Sequence, residues 1–455
     1  MTPYEYLKET AGKRMDELFK FLQFPSVSAK SEHKKDMLDC AAWLTDHLKA
    51  IGLTARIYPT GGHPVVYAEY TADKKAPTVL YYGHYDVQPP EPLELWKSDP
   101  FKPVIRKGNI FARGGTDDKG QVFAHVKGVE AVLKAAGTLP VNVKFLIEGE
   151  EEVSSVSLPK FIRKNKKMLA ADIVVVSDTA QYSSTLPAVT YGLRGVVAAE
   201  VMVSGPNRDV HSGSYGGAIT NPIHALCAMV GQLHDKNGKV AVPGFYSRVK
   251  PVTKWERKQF KRLPFNQEAY RKSLGVPALA GEKGYSTIER TWSRPALDVN
   301  GITGGYQGEG GKTIIPSWAS CKITMRLVPD MDPTDVSNKL ERYLKKIAPK
   351  SVTLKIKKHG GAPGVVVPMD GPWLDAAGRA IKVGFGKNPL FIKEGGSIPI
   401  VSDFKTILGL DTLLIGFGLH EGNAHSPNES FRVVDFENGC RTAAALLFEL
   451  AKVKA

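Results

Sequence analysis

The sequence predicts an α/β protein in which a mostly parallel sheet, with helices on both faces, is interrupted by an inserted two-layer α+β domain. Three observations predict this class. Over the first part of the chain, short continuous apolar runs alternate with helical stretches, the pattern of strands covered on both sides. After Tyr191 the strand-like stretches alternate apolar with polar instead, as in a sheet with one wet face. From about Val367 the first texture returns. Segments 1–195 and 368–455 are therefore expected to form one domain, and 196–367 a second one inserted into it.

Each element has a local cause. Thr2-Pro3-Tyr4-Glu5 combines a capping hydroxyl, a proline in the first turn and an acid three residues after the cap, so a helix should run to about Gln23. A second helix, about Lys34 to Ala50, closes at Gly52. The runs Val65 to Tyr70, Thr78 to Tyr82, Val141 to Ile147 and Ile173 to Val176 read as strands. Between the second and third of these, Gly120 to Ala136 reads as a helix stopped by Gly137 and Pro140. In the insertion, Val196 to Ser204 and Ala319 to Leu327 are amphipathic strands, and Asn221 to Asp235 and Thr334 to Ile347 are helices. Residues 240–295, rich in Lys, Arg, Trp and Tyr, form an excursion whose role the pattern leaves open. A helix near Trp373 to Val383, an apolar run Leu413 to Phe417 and a final helix about Asp435 to Lys452 complete the first domain.

Composition narrows the function. With 42% apolar and 24% charged residues in 455, the chain has enough apolar side chains for two packed cores and is not a disordered polymer. No apolar run reaches the roughly 18 residues of a membrane span, so no membrane partner is expected. Met1 to Tyr6 reads as a helix start rather than a signal peptide, which gives a cytoplasmic expectation. The excess of 61 Lys+Arg over 46 Asp+Glu, a net +15, could serve an anionic polymer. Its clusters, such as Lys164, Lys166, Lys167 and Lys345, Lys346, Lys350, carry no nucleic-acid-binding signature, so they read as solvated faces. No nucleic-acid partner is expected, and a non-catalytic basic binding protein is the weaker reading. Cys40, Cys227, Cys321 and Cys440 stand far apart with no CxxC pair, which argues against a cysteine-ligated zinc and a disulfide framework.

The acids concentrate where a parallel sheet places its ligands. Thr78 to Tyr82 leads into Gly83-His84-Tyr85-Asp86, Val141 to Ile147 into Glu148-Gly149-Glu150-Glu151-Glu152, and Ile173 to Val176 into Ser177-Asp178. A fourth group, Gly114-Gly115-Thr116-Asp117-Asp118-Lys119-Gly120, sits in a glycine-rich turn before a helix. Taken singly, each has a plain structural explanation: a strand-end hydrogen bond, a solvated Glu triplet, a helix cap. Together at one sheet edge they would repel one another unless cations neutralise them. One histidine among carboxylates suits zinc or manganese.

These segments, with Arg113 ahead of the glycine turn and Ala424-His425-Ser426, resemble the co-catalytic metallopeptidases of the M20 family, in particular the branch of nonspecific dipeptidases and carnosinases. The resemblance runs from about residue 15 to 450. It implies two divalent ions per subunit, Zn2+ ahead of Mn2+, bridged by Asp117 and a water. His84 and Asp178 complete one site, and Glu152 and His425 the other. Asp86 would orient the His84 ring, and Glu151 would be the general base acting on that water.

In the inserted domain, read as a lid and dimerisation domain, the resemblance makes His211 an oxyanion donor reaching a partner subunit, which implies a homodimer. Arg326 would grip the substrate carboxylate, and Thr313, His359, Glu394, Gly396 and Ser397 would be further substrate contacts, with Glu394 meeting the free amine. The expected activity is hydrolysis of dipeptides or very short peptides. An N-acyl-amino-acid deacylase or carboxypeptidase is the alternative; by the resemblance, Asp rather than Glu at position 178 implies an aminopeptidase or dipeptidase preference instead. Val153-Ser154-Ser155 departs from the Ser-Gly-Ser that relatives more often carry after the Glu triplet.

Overall fold

The computed structural model describes residues 1–367 and 371–453, so 368–370, where the third expected segment begins, lie outside the described residues, as do 454–455. The described chain divides into two compact units. One comprises Met1–Tyr191, Val367–Ile392 and the chain from Asp403 onward; the other comprises Gly192–Val366 and Lys393–Ser402. The stretch 393–402, placed by the sequence with the third segment, thus packs with the second unit.

The first unit opens with two helices rather than one, α1 (Pro3–Glu9) and α2 (Ala11–Leu22), followed by α3 (Lys34–Ala50). The capping box at Thr2 and Glu5 forms as expected. The break falls at Thr10, whose hydroxyl donates to the Tyr6 carbonyl. The buried Arg14 guanidinium donates to the Leu7 carbonyl, the group an unbroken helix would offer to the Ala11 amide.

The large sheet of this unit contains β1 (Thr54–Tyr58), β2 (Val65–Tyr70), β3 (Thr78–His84), β4 (Asn142–Glu148), β5 (Ile173–Val176), β6 (Ala188–Leu193) and β7 (Thr412–Leu414). They lie in the order β1-β2-β4-β3-β5-β7-β6. Parallel pairing runs through β4-β3-β5-β7. The flanks β1, β2 and β6 are antiparallel, so the sheet is mixed rather than mostly parallel. For β1 and β2 the reason is the connection: a short turn through Gly61 and Gly62 can join antiparallel strands, whereas a parallel crossover needs a dozen residues or more.

Both faces of the central strands are buried. Val79, Tyr81, Ile173 and Val175 face a core shared with α2, α3 and three helices that follow: α4 (Lys119–Ala136), α5 (Pro372–Phe385) and α6 (Val433–Ala451). The alternate residues Leu80, Tyr82, Val174 and Val176 are equally buried on the other side, where the Tyr82 ring meets Phe404 edge-on at 5.4 Å. Each such side chain contributes roughly 1.5–3 kcal/mol by leaving water. That rigidity holds the strand ends where the acids sit.

The second unit is built on an antiparallel sheet in the order Ala296–Gly304, Trp318–Leu327, Gly195–Ser204, Thr353–Ala362. Gly195–Ser204 alternates buried with half-buried residues along its whole length, the amphipathic pattern read from the sequence. Helices Pro222–Gly231 and Pro333–Ile347 supply Leu226, Met229, Leu340 and Leu344 to the core over its inner face.

Candidate metal centre

Strands β3, β4 and β5 run parallel in register, Thr78 beside Asn142 and Tyr82 beside Val176, so their carboxyl ends finish at one edge. His84 is the last residue of β3, Glu148 the last of β4, and Asp178 follows β5 by two residues. The turn Arg113–Asp118 enters the same edge immediately before α4. Two glycines let it fold there. Gly114 has φ +82, and a Cβ on it would lie 2.7 Å from Val87; one on Gly120 would lie 2.0 Å from the Gly115 carbonyl.

The result is two triads that share one carboxylate. His84, Asp117 and Asp178 bring one potential ligand atom each within 4.8 Å of the others, and so do Asp117, Glu152 and His425. Asp117 Oδ1 lies 3.1 Å from His84 Nε2, while Oδ2 lies 2.9 Å from His425 Nε2. Glu152 Oε2 is 3.2 Å from the same His425 nitrogen. One carboxylate thus turns an oxygen to each side, the arrangement of a bridging ligand.

The donor set fits divalent cations on chemical grounds. It is imidazole and carboxylate only, with the separations that ligands around one small ion require. His84 Nε2 and Glu152 Oε1 are also buried without a hydrogen-bond partner, which is costly unless something positive satisfies them.

Protonation tells the same story. Burial works against a charged His84, but Asp117 and Asp86 outweigh it and hold the ring well above its ordinary range. Asp117, followed by Glu152, lifts His425 to about 10. Asp178 is pushed well up by burial and then by Asp117. Burial, with Glu152, Asp117 and Asp86 adding to it against His84, raises Glu151 to about 7. The edge therefore retains protons that bound cations would displace.

A surrounding set of side chains fixes these groups. His84 Nδ1 is 3.0 Å from the Asp86 main-chain oxygen and 3.3 Å from its carboxylate. That carboxylate accepts from the Ser28 hydroxyl at 2.7 Å and from the Glu151 and Glu152 amides at 3.3 and 3.1 Å. Asp86 thus fastens the turn carrying Glu151 as well as standing beside His84. Gln88 Nε2 donates to Glu152 Oε2 at 2.8 Å.

Glu429, absent from the sequence reading, is wholly buried. It accepts from the Gly114, Thr116 and Asp117 amides at 2.9, 2.9 and 3.1 Å and from Arg113 at 2.7 Å. Asp118, seen in the sequence only as part of an acid pair, accepts from the His84 amide at 3.2 Å. The one sequence signal for Glu429 was an acid four residues after His425 in the same loop.

The other predicted residues lie in the second unit. His211 is exposed, ends a two-residue strand paired with Ile314–Ile315, and accepts from the Gly213 amide. Thr313 adjoins it through its carbonyl, which accepts from the Ser212 amide at 3.0 Å. Arg326 donates to Ser397 Oγ at 2.9 Å; Glu394 ends the strand Leu390–Glu394, and Gly396 lies in the turn that leads from it to Ser397. His359 stands exposed where the pairing of Thr353–Ala362 shifts register between Lys358 and Gly361.

A mixed α/β unit whose strand ends carry two acid-and-histidine triads joined by a shared carboxylate has the donor set of a divalent-metal site. The model of peptidase family M20/M25/M40 matches residues 80–449, and the chain belongs to this family. It is 32% identical over 471 aligned residues to the Cys-Gly metallodipeptidase DUG1 of Candida albicans, covering 99% of this chain and 97% of that one. The crystal structure of human carnosine dipeptidase 1 has a TM-score of 0.85 at 31% identity, covering 99% of this chain and 98% of that one. The metallo-carboxypeptidase Sso-CP2 of Sulfolobus solfataricus has a TM-score of 0.88 at 32% identity, covering 97% and 99%.

Proposed function

We propose that the protein is a metal-dependent dipeptidase in which Glu151 is the general base. The observation that carries this reading is Asp117, with one oxygen 3.1 Å from His84 and the other 2.9 Å from His425. In this reading His84, Asp117 and Asp178 hold one ion, and Asp117, Glu152 and His425 the second. Zn2+ is favoured over Mn2+ by the two imidazoles. Bound there, the ions polarise a peptide carbonyl and acidify water. Glu151, its carboxyl raised to about 7, is poised near neutral pH to take the proton of the attacking water and return it to the leaving amine. Asp86 keeps Glu151 and Glu152 at their stations through their amides.

Dipeptides are favoured as substrate because the dipeptidases named above match nearly the whole chain and because Glu394 and Arg326 offer an acid and a base for the two termini. Thr313, His359, Gly396 and Ser397 complete the substrate contacts. His211 donates to the developing oxyanion of a partner subunit, in a homodimer formed through the inserted lid domain. Four free cysteines, three of them buried, suit a cytoplasmic location.

The test compares a free dipeptide with its N-acetylated form in the presence of Zn2+ or Mn2+. We expect strong preference for the free dipeptide. Equal or better turnover of the acetylated form refutes the reading and favours the carboxypeptidase or deacylase alternative, to which the likeness to Sso-CP2 gives a specific basis. For the dimer, His211→Ala should lower kcat, and mixing it with a Glu151 variant should recover activity; no recovery on subunit exchange removes the role in trans.

A further inference from the structure

We propose that Arg194 is a positioning residue of the substrate-carboxylate site, locking the Gly395–Ser397 turn onto Arg326 and adding the site's second positive charge. The inference rests on the dipeptidase reading, in which Arg326 receives the carboxylate. It begins from a chain of hydrogen bonds: Arg326 Nη1 donates to Ser397 Oγ at 2.9 Å, and Ser397 Oγ donates to the Arg194 carbonyl at 2.5 Å. Arg194 then reaches back with its side chain, Nε donating to the Gly395 carbonyl at 3.1 Å and Nη1 to the Arg294 carbonyl at 3.3 Å. Main chain and side chain of one residue thus hold both ends of the same turn.

The fit is close. A Cβ on Gly395 would lie 2.8 Å from Arg194 Nη2 and 2.8 Å from the Thr291 carbonyl, so glycine is what lets the turn sit between them. Thr291 and Arg294 end the 240–295 excursion. The same excursion grips the strand before the turn through Glu256, which caps helix Lys254–Phe260 and pairs with the buried Lys393. The excursion therefore has a structural role as the wall behind this turn.

Charge gives the turn its ligand. Arg294 is neutralised by a two-pronged pair with Glu282, at 2.8 and 2.7 Å. Among the described residues, neither Arg194 nor Arg326 has a carboxylate within ion-pair distance. Burial, and then the nearby Arg326, pull Arg194 down to about 10, with Asp298 opposing only partly. Two half-buried guanidiniums near enough to oppose each other's charge, one bonded to the Ser397 hydroxyl and the other to the Gly395 carbonyl, suit an anion such as a carboxylate.

The experiment is steady-state kinetics of metal-loaded wild type, Arg194→Met and Arg194→Lys on L-alanyl-L-alanine and on its C-terminal amide. Wild type should prefer the acid. Arg194→Met should raise KM for the acid by roughly 10- to 100-fold, the worth of a hydrogen-bonded charge, while kcat for the acid and KM for the amide stay within about threefold. Arg194→Lys keeps the charge without the fork and should retain part of the acid preference. A wild-type preference that survives in Arg194→Met, or an equal loss on both substrates, overturns the inference. Should Arg194→Met fail to fold, Arg194→Lys decides, and an acid-to-amide ratio equal to wild type overturns it. A wild type that treats acid and amide alike refutes the carboxylate role of Arg326, and the inference falls with that reading.

Discussion

Glu429→Ala is the sharpest probe of how the metal edge is built. Glu429 contributes no atom to either triad, yet its two oxygens take three backbone amides of the Asp117 turn, that of Asp117 included, and the guanidinium of Arg113, which is itself 1% exposed. Removing it strands a buried cation and three amides. Breaking a buried pair in this way costs about 3–5 kcal/mol. Burial raises the Glu429 carboxyl above its ordinary range, with Arg113 opposing, so the pair already carries a desolvation cost and the lower end applies. We therefore expect a loss of about 3 kcal/mol, which at about 2.1 cal/mol/K per residue over the roughly 270 residues of the first unit lowers Tm by roughly 5 °C.

A second effect separates this role from simple packing. The freed amides no longer orient Asp117, the carboxylate common to both triads and in the proposed reading a ligand of both ions, so affinity for Zn2+ should fall about 10- to 100-fold, as when the groups behind metal ligands are removed. Differential scanning fluorimetry of the metal-free protein gives the first quantity, and calorimetric or competitive-chelator titration with Zn2+ the second. A drop in Tm under about 2 °C together with unchanged Zn2+ affinity would refute the reasoning.

Glu151→Gln should keep two ions per chain by elemental analysis while kcat falls at least ~100-fold; loss of both ions would instead make Glu151 a ligand. The metal-free protein should lose stability as pH rises from about 6.5 to 8. Over that window the folded state holds protons on Glu151, raised to about 7, on Glu148, raised to about 8, and on Asp178 and His425, all of which the unfolded chain has released. Below 6.5 the lowered His47 and His125 pull the other way, and added Zn2+ should abolish the decline above it; a flat or rising profile in EDTA contradicts the protonation scheme. Ser154, at φ 75 directly after the Glu151–Val153 turn, occupies a conformation that favours glycine. Ser154→Gly should gain about 0.5–1 kcal/mol in urea denaturation, and a measured loss would count against the left-handed geometry.

The sequence was most legible where chemistry and strand ends coincide. His84, Asp117, Asp178 and the Glu148–Glu152 run stood out because each follows a buried run or a glycine turn, and a parallel sheet brings such points to one edge, whereas His425 and the choice of Glu152 came from the family resemblance. Strand direction was less legible: β2 has the same continuous apolar character as β3, and only the short connection from β1 betrays its antiparallel pairing. Thr10 looked like any helix residue because the break depends on Arg14, whose partner Glu437 lies near the other end of the chain. Glu429 was hidden for the same reason. A buried acid in a loop has no periodicity, and its meaning comes from amides that lie more than 300 residues earlier in the sequence. The 240–295 excursion gained a role only once Glu256 and Thr291 were seen against the Lys393–Ser397 stretch.

The placing of β7 between β5 and β6 bears on how this enzyme is made. When the ribosome has released residue 193, both neighbours exist, but the strand that fills the gap is still unsynthesised. At about 5–20 residues per second, some 220 further residues take roughly 10–45 s. Throughout that interval β5 and β6 lack the strand that pairs with both, and the glycine turn that carries Asp117 lacks both His425 and the glutamate that accepts from its amides. The triad of Asp117, Glu152 and His425 is therefore complete only after residue 425 has been made, long after the strands that carry His84, Glu152 and Asp178 to the edge.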